Sequence, residues 1–427
     1  MQLTVKLLIA ALVVLLLSCS AQAKGCKDVS SDVCYELEPL LKSSSSQFDV
    51  LQQVLKVPEN FNVQILYTQI DRNLDNKVKF SHYQFGLDES HYFYPASTAK
   101  LPLSILALQW LEQQNISGLN KDTTMLTKSS RPGQTAALTD STAETLLPSV
   151  AQYIRKILLV SDNDAYNRLY ELLGQEYINN QLQQKGLTNT VINHRLSLSL
   201  PEPEQRHYNA IEFVDTTNQP ILSLEARSSD TRYSNPSRPT LGKAHMANDK
   251  HISAPMDFTD KNRFSIVDYN NVLKRILFPE SFSSEQLFNI SEQHRQFIIR
   301  YMGLAPSSSA FPAYDEAEYP DNYAKFLLVG GVAQPIPEHL RIFNKTGWAY
   351  GHAIDGAYIV DIENNIEFLL VAVIYANEND VLNDDTYQLN EIAKPFLRQL
   401  GQLIYQYELQ RPRKVAPDLS HFKNLTE

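Results

Sequence analysis

The sequence carries no excess of positive charge. Its 38 lysine and arginine residues are outnumbered by 48 aspartate and glutamate residues, which gives a formal net charge of -10 at pH 7. Nucleic acids and anionic lipid surfaces attract proteins with a basic patch or a basic overall charge. The charge balance therefore excludes nucleic acid as an expected partner.

Long apolar segments are absent after the first residues. The run from Leu7 to Leu17 follows Lys6 and is too short to span a bilayer, which is typical of a secretory signal. We therefore predict that residues 1–23 are a signal segment and that the protein is exported. Two processing sites remain open. Ala21-Gln22-Ala23 suits signal peptidase, whereas Leu16-Leu17-Ser18-Cys19 resembles a bacterial lipobox, which would leave a lipid anchor on Cys19. The expected location is the periplasm or, with that anchor, the outer membrane.

Cysteine is scarce, with three residues in the whole chain. Removal or lipidation of Cys19 leaves Cys26 and Cys34 in either case. In an oxidising compartment these two could form a disulfide near the mature N-terminus, and the alternative is two unpaired thiols.

Internal repeats and heptads are also absent, and the clearest pattern is alternation near both ends of the chain. The stretches "NFNVQILYTQIDRNLDNKVKFSHYQFG" and "HAIDGAYIVDIENNIEFLLVAVIYAN" each place two alternating runs around a polar turn, which predicts a hairpin. The middle of the chain has mainly helical patterns. After the second hairpin, Pro395 predicts a kink or a late start in a final helix.

These patterns predict an α/β (α+β) fold whose sheet is built from both chain ends. The sheet subdomain is expected to comprise residues 59–96 and 326–410, and a mainly helical subdomain, 97–325, is inserted between them. An N-terminal segment, 24–58, and a tail, 411–427, lie outside these two units. A cleft is expected at their junction.

The stretch "HYFYPASTAKLPLSILALQWL" places Ser97 and Lys100 three residues apart at the start of an apolar helix. Residues at this spacing share a helix face, so the lysine amine can approach the serine hydroxyl and act as its base if its pKa is lowered. A capping serine followed by a solvated lysine is the alternative. The pair alone does not decide between them.

Two further motifs favour the catalytic interpretation. Ser161-Asp162-Asn163 lies between two apolar helical runs, and Lys345-Thr346-Gly347 ends an apparent strand. Each could be a cap or a turn by itself. Together, in this order, S-x-x-K, S-D-N and K-T-G are the signature of class A β-lactamases and penicillin-binding proteins. The chain resembles these serine hydrolases from about Phe61 to about Leu409, and the interval of 64 residues (161 minus 97) between the first two motifs is similar to that of class A enzymes.

The resemblance implies a five-stranded antiparallel sheet flanked by helices, a monomer and no cofactor or metal. It implies that Ser97 is the nucleophile, that Lys100 takes its proton and that Ser161 protonates the departing nitrogen. Asn163 would hold the substrate amide, and Lys345 and Thr346 would bind a substrate carboxylate. Gly347 would keep the strand edge clear, and the backbone N–H groups of Ser97 and Trp348 would form an oxyanion hole.

The chain departs from the class A pattern in three places. The interval from Asn163 to Lys345 is 182 residues (345 minus 163), which is longer than in class A enzymes and indicates a polar insertion at about 215–260. Glu202, on a proline-flanked loop, is the candidate base for deacylation, but an alignment through Arg195 puts Ser197 in that place instead. Trp348 stands where a small residue is commoner.

The sequence therefore predicts an exported serine hydrolase of β-lactamase type, acting on a small-molecule β-lactam. A DD-peptidase or transpeptidase acting on peptidoglycan peptides, or an esterase, is the alternative within enzymes. A non-catalytic protein that binds cell-wall peptides is the alternative outside them.

Overall fold

The computed structural model describes residues 33–423, apart from positions 45, 333 and 334. The predicted signal segment, Cys19 and Cys26 lie outside the described residues. Within the described range no helix is both long and apolar enough to cross a membrane.

The strands of the described chain are numbered in order. They are β1 (Val33–Glu36), β2 (Gln64–Arg72), β3 (Val78–Phe85), β4 (Thr124–Thr127), β5 (Thr190–Val191), β6 (His207–Tyr208), β7 (Ile211–Val214), β8 (Pro220–Leu224), β9 (Arg227–Ser228), β10 (Thr240–Leu241), β11 (Ala244–Ala247), β12 (Lys250–Ile252), β13 (Met256–Asp257), β14 (Arg263–Phe264), β15 (Leu340–Asn344), β16 (Gly347–Ala349), β17 (His352–Asp361), β18 (Ile366–Tyr375) and β19 (Val381–Leu382).

The α-helices are numbered in the same way. They are α1 (Glu38–Lys42), α2 (Asp49–Leu55), α3 (Lys100–Gln114), α4 (Val150–Val160), α5 (Asn163–Gln184), α6 (Glu202–Gln205), α7 (Ile266–Leu277), α8 (Glu292–Gly303) and α9 (Lys394–Gln410).

A seven-stranded sheet joins the two ends of the chain. Its order is β1-β3-β2-β18-β17-β15, and β16 also pairs with β17. The two predicted hairpins, β2–β3 and β17–β18, are both present, and β2 pairs with β18 in antiparallel register from Gln64↔Val373 to Gln69↔Phe368. The implied count of five strands was too low. It omitted β16 and the short strand β1, which lies in the N-terminal segment and pairs in parallel with β3.

Helices cover both faces of this sheet. Along β18 the odd-numbered residues from Leu369 to Val373 pack in one apolar cluster with α7, whereas the even-numbered residues from Phe368 to Ile374 pack in a second cluster with α9. Successive strand residues point to opposite faces, so the run of eight apolar residues from Phe368 to Tyr375 suits a strand that is covered on both sides. A π-helical turn, Leu389–Ala393, leads directly into α9, so only the α-helical part has the predicted late start, at Lys394 with Pro395 in its first turn.

The helical region packs around α3. Eleven of its fifteen residues are buried, and it contacts α4 and α5 within the same apolar cluster that reaches one face of the sheet. A helix that is apolar around its whole circumference is a core helix. The residues that precede α3 are thereby fixed at the junction of the two regions.

The polar insertion at 215–260 is not the open loop that its composition suggests. It contains short strands from β8 to β13, and β11 pairs in parallel with β19, which lies after the central sheet hairpin. Asn383 also donates its side-chain amide N–H to the carbonyl of Met246 at 3.1 Å. The insertion is therefore attached to the loop that follows β18.

The described parts of both predicted outer segments pack on the sheet region. Phe422 of the tail is buried, and its ring lies 4.8 Å from Phe343 and 5.9 Å from Tyr358, centroid to centroid. Cys34 in β1 is fully buried and disulfide-bonded. Its predicted partner, Cys26, lies outside the described residues.

Candidate active site

A cleft of about 700 Å³ lies where the sheet meets the helical region. All three motifs contribute to its wall through Ser97, Ser161 with Asn163, and Thr346 with Gly347. The remaining lining residues are Tyr94, Ala96, Val160, Leu196, Ser197, Tyr323, Ala324, Phe326, Trp348, Ala349, Tyr350, Asn383, Asp385, Tyr387, Leu389, Asn390 and Lys394. The predicted cleft is thus present at the predicted junction.

Ser97 lies in a single 3₁₀ turn, Ala96–Ala99, that leads directly into α3. The turn is entered through Ala96, whose φ of 48° is in the left-handed region and costs an L-residue on the order of 1 kcal/mol. Ser97 is half-buried and lines the cleft, whereas Lys100 begins α3 and is fully buried. This geometry presents the serine hydroxyl at the surface of the cleft and the lysine amine beneath it.

The S-D-N motif forms a sharp turn between two helices. Ser161 ends α4 with a left-handed φ of 64°, and its N–H donates to the carbonyl of Ile157 at 3.0 Å. Asp162 then caps α5, because its carboxylate accepts the N–H of Ala165 at 2.7 Å. The turn leaves the Ser161 hydroxyl and the Asn163 amide facing the cleft. The role of Asp162 is structural, because it caps the helix.

The K-T-G motif spans the break between β15 and β16. The hydroxyl of Tyr269, on α7, accepts the N–H of Lys345 at 3.2 Å and lies within hydrogen-bonding distance of the carbonyls of Lys345 and Gly356. Sequence reasoning missed Tyr269, because nothing in the pattern of α7 distinguishes it from another core tyrosine. It ties the backbone of Lys345 to the neighbouring strand β17.

The hydroxyl of Ser161 connects the three motifs. Lys345 Nζ donates to Ser161 Oγ at 2.8 Å, and Lys100 Nζ lies 3.2 Å from the same oxygen. Lys100 Nζ also donates to Asn163 Oδ1 at 2.7 Å and to the carbonyl oxygen of Ser161. Among the described residues no hydrogen bond joins Lys100 directly to the Ser97 hydroxyl. The lysine is held by the S-D-N turn.

Both lysine amines lie in an environment that disfavours their charged form. Burial and the neighbouring Lys345 hold the pKa of Lys100 well below its usual value, against the opposing effect of Asp162. Burial also lowers the pKa of Lys345 to about 7, and Asp355 acts in the opposite direction. A neutral Lys100 amine can accept a proton, and a charged Lys345 can bind an anion.

Gly347 makes the closest approach between the strand and the turn before α3. A Cβ atom at this position would lie 2.7 Å from the backbone nitrogen of Ser97 and 2.8 Å from the carbonyl oxygen of Pro95. Only glycine fits between these backbone atoms. Trp348 follows it in β16, lines the cleft and leaves 55% of its surface exposed, so the indole stands at the mouth of the cleft and does not fill it.

Glu202 is not brought to the cleft. It begins α6 and forms an ion pair with Arg206 at 2.8 Å, and Glu204 forms another with Arg131 at 2.9 Å. The loop residue that lines the cleft is Ser197, which has a left-handed φ of 55° and accepts the side-chain N–H of Asn163 at 2.8 Å. The structure thus favours the alternative alignment, through Arg195, over the assignment of Glu202 as deacylation base.

The loop after β18 supplies a wall of the cleft that sequence reasoning missed. Asn383, Asp385, Tyr387 and Asn390 line it together with Lys394 at the start of α9. No motif marks these residues. The feature of the sequence that could have identified them is the unusually long polar run between β18 and α9. Among the described residues, no group of three His, Cys, Asp or Glu side chains is arranged to hold a metal ion.

The chain is similar in sequence to one protein family and in structure to several solved proteins. The profile of the Beta-lactamase enzyme family matches residues 51–408. Among curated proteins none matches the sequence. The β-lactamase from Sphaerobacter thermophilus is 11% identical, with a TM-score of 0.46, and the alignment covers 86% of this chain and 98% of that one. The β-lactamase from Burkholderia ambifaria is 13% identical, with a TM-score of 0.47 and coverage of 84% and 98%.

A variant of PBP-A, in an acyl-enzyme complex with penicillin G, is 18% identical, with a TM-score of 0.45 and coverage of 87% and 98%. The family profile spans most of the chain, including all three motifs. The chain therefore belongs to the β-lactamase enzyme family.

Proposed function

We propose that the protein is a serine hydrolase that forms an acyl-enzyme at Ser97 with β-lactams or with peptides of cell-wall type. The observation that supports this most strongly is the position of the Ser161 hydroxyl. It lies within hydrogen-bonding distance of two buried lysine amines, on the wall of the cleft that Ser97 also lines. A solvated surface lysine would not be buried in this way beside the hydroxyl.

Each step of acylation has a residue suited to it. Lys100, whose pKa is lowered by burial, takes the proton of Ser97 as the hydroxyl attacks the carbonyl carbon. We propose that their contact forms as substrate enters, since catalytic hydrogen bonds tighten in the substrate complex. The backbone N–H groups of Ser97 and Trp348 receive the oxyanion. Ser161 then gives its proton to the departing nitrogen, and Lys100, which holds the proton taken from Ser97 and lies 3.2 Å from Ser161 Oγ, replaces it.

The substrate carboxylate is assigned to Lys345 and Thr346. Lys345 donates two of its three N–H groups to Ser161 Oγ and to the Thr346 carbonyl, both at 2.8 Å. The third remains for an anion. Thr346 lines the cleft beside it. β-Lactams and the C-terminal ends of peptides both carry a carboxylate, so this contact favours both over neutral esters.

Deacylation is the step for which the site is least equipped. Asp385 is the only carboxylate among the described residues that line the cleft, and Ser197 occupies the loop position beside Asn163. A hydroxyl without a base of its own is a poor activator of water. We therefore propose that the acyl-enzyme is long-lived, as expected of a penicillin-binding protein with peptidase or transferase activity. Fast β-lactam hydrolysis is the less favoured outcome.

Labelling with a fluorescent penicillin, followed alongside hydrolysis of a chromogenic β-lactam, tests this proposal. We expect one stoichiometric, slowly released adduct by intact-mass analysis, and none on Ser97→Ala. Ser284→Ala, which alters an exposed serine that does not line the cleft, should label like the wild type. Rapid turnover without a persistent adduct would favour a β-lactamase. An unchanged adduct on Ser97→Ala would remove Ser97 from the mechanism, and no adduct on any form would favour a non-catalytic binder or an esterase.

Export remains a proposal that rests on residues 1–23 alone. Secretion of a tagged full-length chain in a bacterial host, with Cys19→Ala as the matched variant, tests both processing routes. Incorporation of a radiolabelled fatty acid into the wild type but not the variant would support the lipid anchor.

A further inference from the structure

A buried polar network that the proposed mechanism does not use lies directly behind the K-T-G strand. Asp355, in β17, is fully buried, and Lys325, in the segment before β15, is 5% exposed. Asn344, the last residue of β15, joins them. Its side-chain N–H donates to Asp355 Oδ1 at 2.8 Å, and its Oδ1 accepts from Lys325 Nζ at 3.1 Å.

The hydrogen bonds of Asp355 and Lys325 indicate the charge of each group. Asp355 accepts three N–H groups, from the Asn344 side chain and from the backbone of Phe326 at 2.9 Å and Leu327 at 3.0 Å, and nothing near it requires a carboxyl proton. Lys325 donates to Asn344 and to the carbonyls of Met302 at 3.0 Å and Ile342 at 2.7 Å. Three donors around a carboxylate and three acceptors around an amine match the ionised form of both groups.

This network is tied to the cleft at two points. Asn344 immediately precedes Lys345, so its side chain fixes the end of the strand that carries the motif. Asp355 holds the backbone of Phe326, and Asn344 also donates to the carbonyl of Ala324 at 2.9 Å; both Ala324 and Phe326 line the cleft. The Asp355 carboxylate thus connects β15, which leads into the K-T-G motif, to the segment 324–327 beside the cleft.

Two charged groups act on the amine of Lys345 from the surrounding elements. Lys100 of α3 repels it and Asp355 of β17 attracts it, whereas Ser161 Oγ, which accepts a hydrogen bond from this amine, is neutral and the Tyr269 hydroxyl contacts only the Lys345 backbone. Asp162, in the S-D-N turn, opposes the lowering of the pKa of Lys100. Asp355 is therefore the attractive charge that opposes the burial of Lys345.

We infer that Asp355 is a positioning residue that keeps Lys345 charged and in place for the substrate carboxylate, and that Lys325, joined to it through Asn344, helps to keep Asp355 ionised. The inference rests on the proposed function of Lys345 as the carboxylate-binding residue. A purely structural Asp355 would support folding and leave the charge of Lys345 unaffected.

The pH dependence of acylation separates these two cases. In the wild type, kcat/KM for a carboxylate-bearing penicillin should fall above pH 7 as Lys345 loses its proton, which gives its pH profile a descending limb. The pH profile of a neutral ester analogue should not have this limb. In Asp355→Asn the limb for the penicillin should move to lower pH by about one unit. At pH 8 this is a further loss of about tenfold, because each pH unit changes the protonated fraction tenfold.

Asp361→Asn is the matched control. Asp361 is the last residue of the same strand, is also fully buried, and accepts backbone N–H groups from Glu363 and Asn364, both at 2.9 Å. It is six residues from Asp355, or about 20 Å along an extended strand. Its substitution should lower the melting temperature without moving the pH limb.

Lys325→Met tests the other end of the network. Burial raises the pKa of Asp355 and Lys325 opposes that effect, so removal of this ammonium favours the neutral carboxyl and the limb for the penicillin should move to lower pH, as in Asp355→Asn. If Asp355→Asn does not fold, the direction of this shift decides the inference. A limb that stays in place in both variants, or that moves equally for the penicillin and the neutral ester, overturns it. Failure of the wild type to acylate either substrate would instead refute the proposed function.

Discussion

The clearance at Gly347 allows one prediction to be worked out from distances. In Gly347→Ala the new Cβ would lie 2.7 Å from Ser97 N, 2.8 Å from Pro95 O and 2.9 Å from Thr98 N. All three are backbone atoms, so no side-chain rotation relieves the contact. To bring the shortest contact from 2.7 Å to 3.4 Å, where ordinary van der Waals contacts begin, β16 must move away from the turn before α3 by about 0.7 Å.

Such a displacement separates the two proposed oxyanion donors, the backbone N–H groups of Ser97 and Trp348. Loss of one donor typically lowers the rate of acyl transfer by about 10²–10³-fold, and a misplacement of about 1 Å can cost 10²-fold. We expect the second-order rate constant for labelling by a fluorescent penicillin to fall by about 10²-fold. The free energy of unfolding should fall by about 1–3 kcal/mol, as is usual for overpacking.

Gly186→Ala provides the control. No heavy atom lies within 4 Å of the position that a Cβ atom would take at Gly186, so alanine causes no steric contact there. The φ of 74° still makes the substitution strained for conformational reasons. It should lower the melting temperature and leave the labelling rate unchanged. Near wild-type labelling of Gly347→Ala would show that the strand does not form the oxyanion hole and would refute the reasoning.

Three further predictions concern the lysine and the loop. Lys345→Ala should slow labelling by carboxylate-bearing penicillins through loss of a charge-assisted contact of about 1.5–3 kcal/mol, and equal loss on a neutral ester would make the lysine structural. Ser197→Glu should accelerate release of the acyl group by about 10²-fold or more, because it places a general base beside Asn163; unchanged release, measured by intact mass over time, would place the loop outside deacylation. Glu202→Gln should release the acyl group at the wild-type rate, since its carboxylate is paired with Arg206, and faster accumulation of adduct would restore it as the base.

The sequence was most informative where a pattern is local. Both long hairpins were predicted because alternation over eight to ten residues and a polar turn identify a strand pair, and the turn at Asn364-Asn365 lies where it was expected. The three motifs were found because each is a contiguous run. Their meeting at the Ser161 hydroxyl could be inferred only from the resemblance to a known family, since no spacing in the sequence relates Lys345 to Lys100.

The remaining features depend on contacts between distant residues. The strands of the insertion are two to five residues long, too short to show a period, and β11 pairs with β19 more than 130 residues later. Glu202 matched a family pattern by composition, but an arginine four residues on and the left-handed conformation of Ser197 decide which side chain lines the cleft. Tyr269 and Asp355 look like ordinary interior residues in the sequence.

The pairing of β2 with β18 also sets the order in which the molecule can assemble. Gln69 and Phe368 face each other across that pair although about 300 residues separate them, and closure of so long a loop costs on the order of 5 kcal/mol of chain entropy. The contacts among α3, α4 and α5 are far more local and can form earlier. A growing chain can therefore hold the Ser97 turn and the S-D-N turn together well before it has a K-T-G strand to face them. If Ser97 is the nucleophile that we propose, an incomplete chain would hold this serine without the strand that binds the substrate and completes the oxyanion hole.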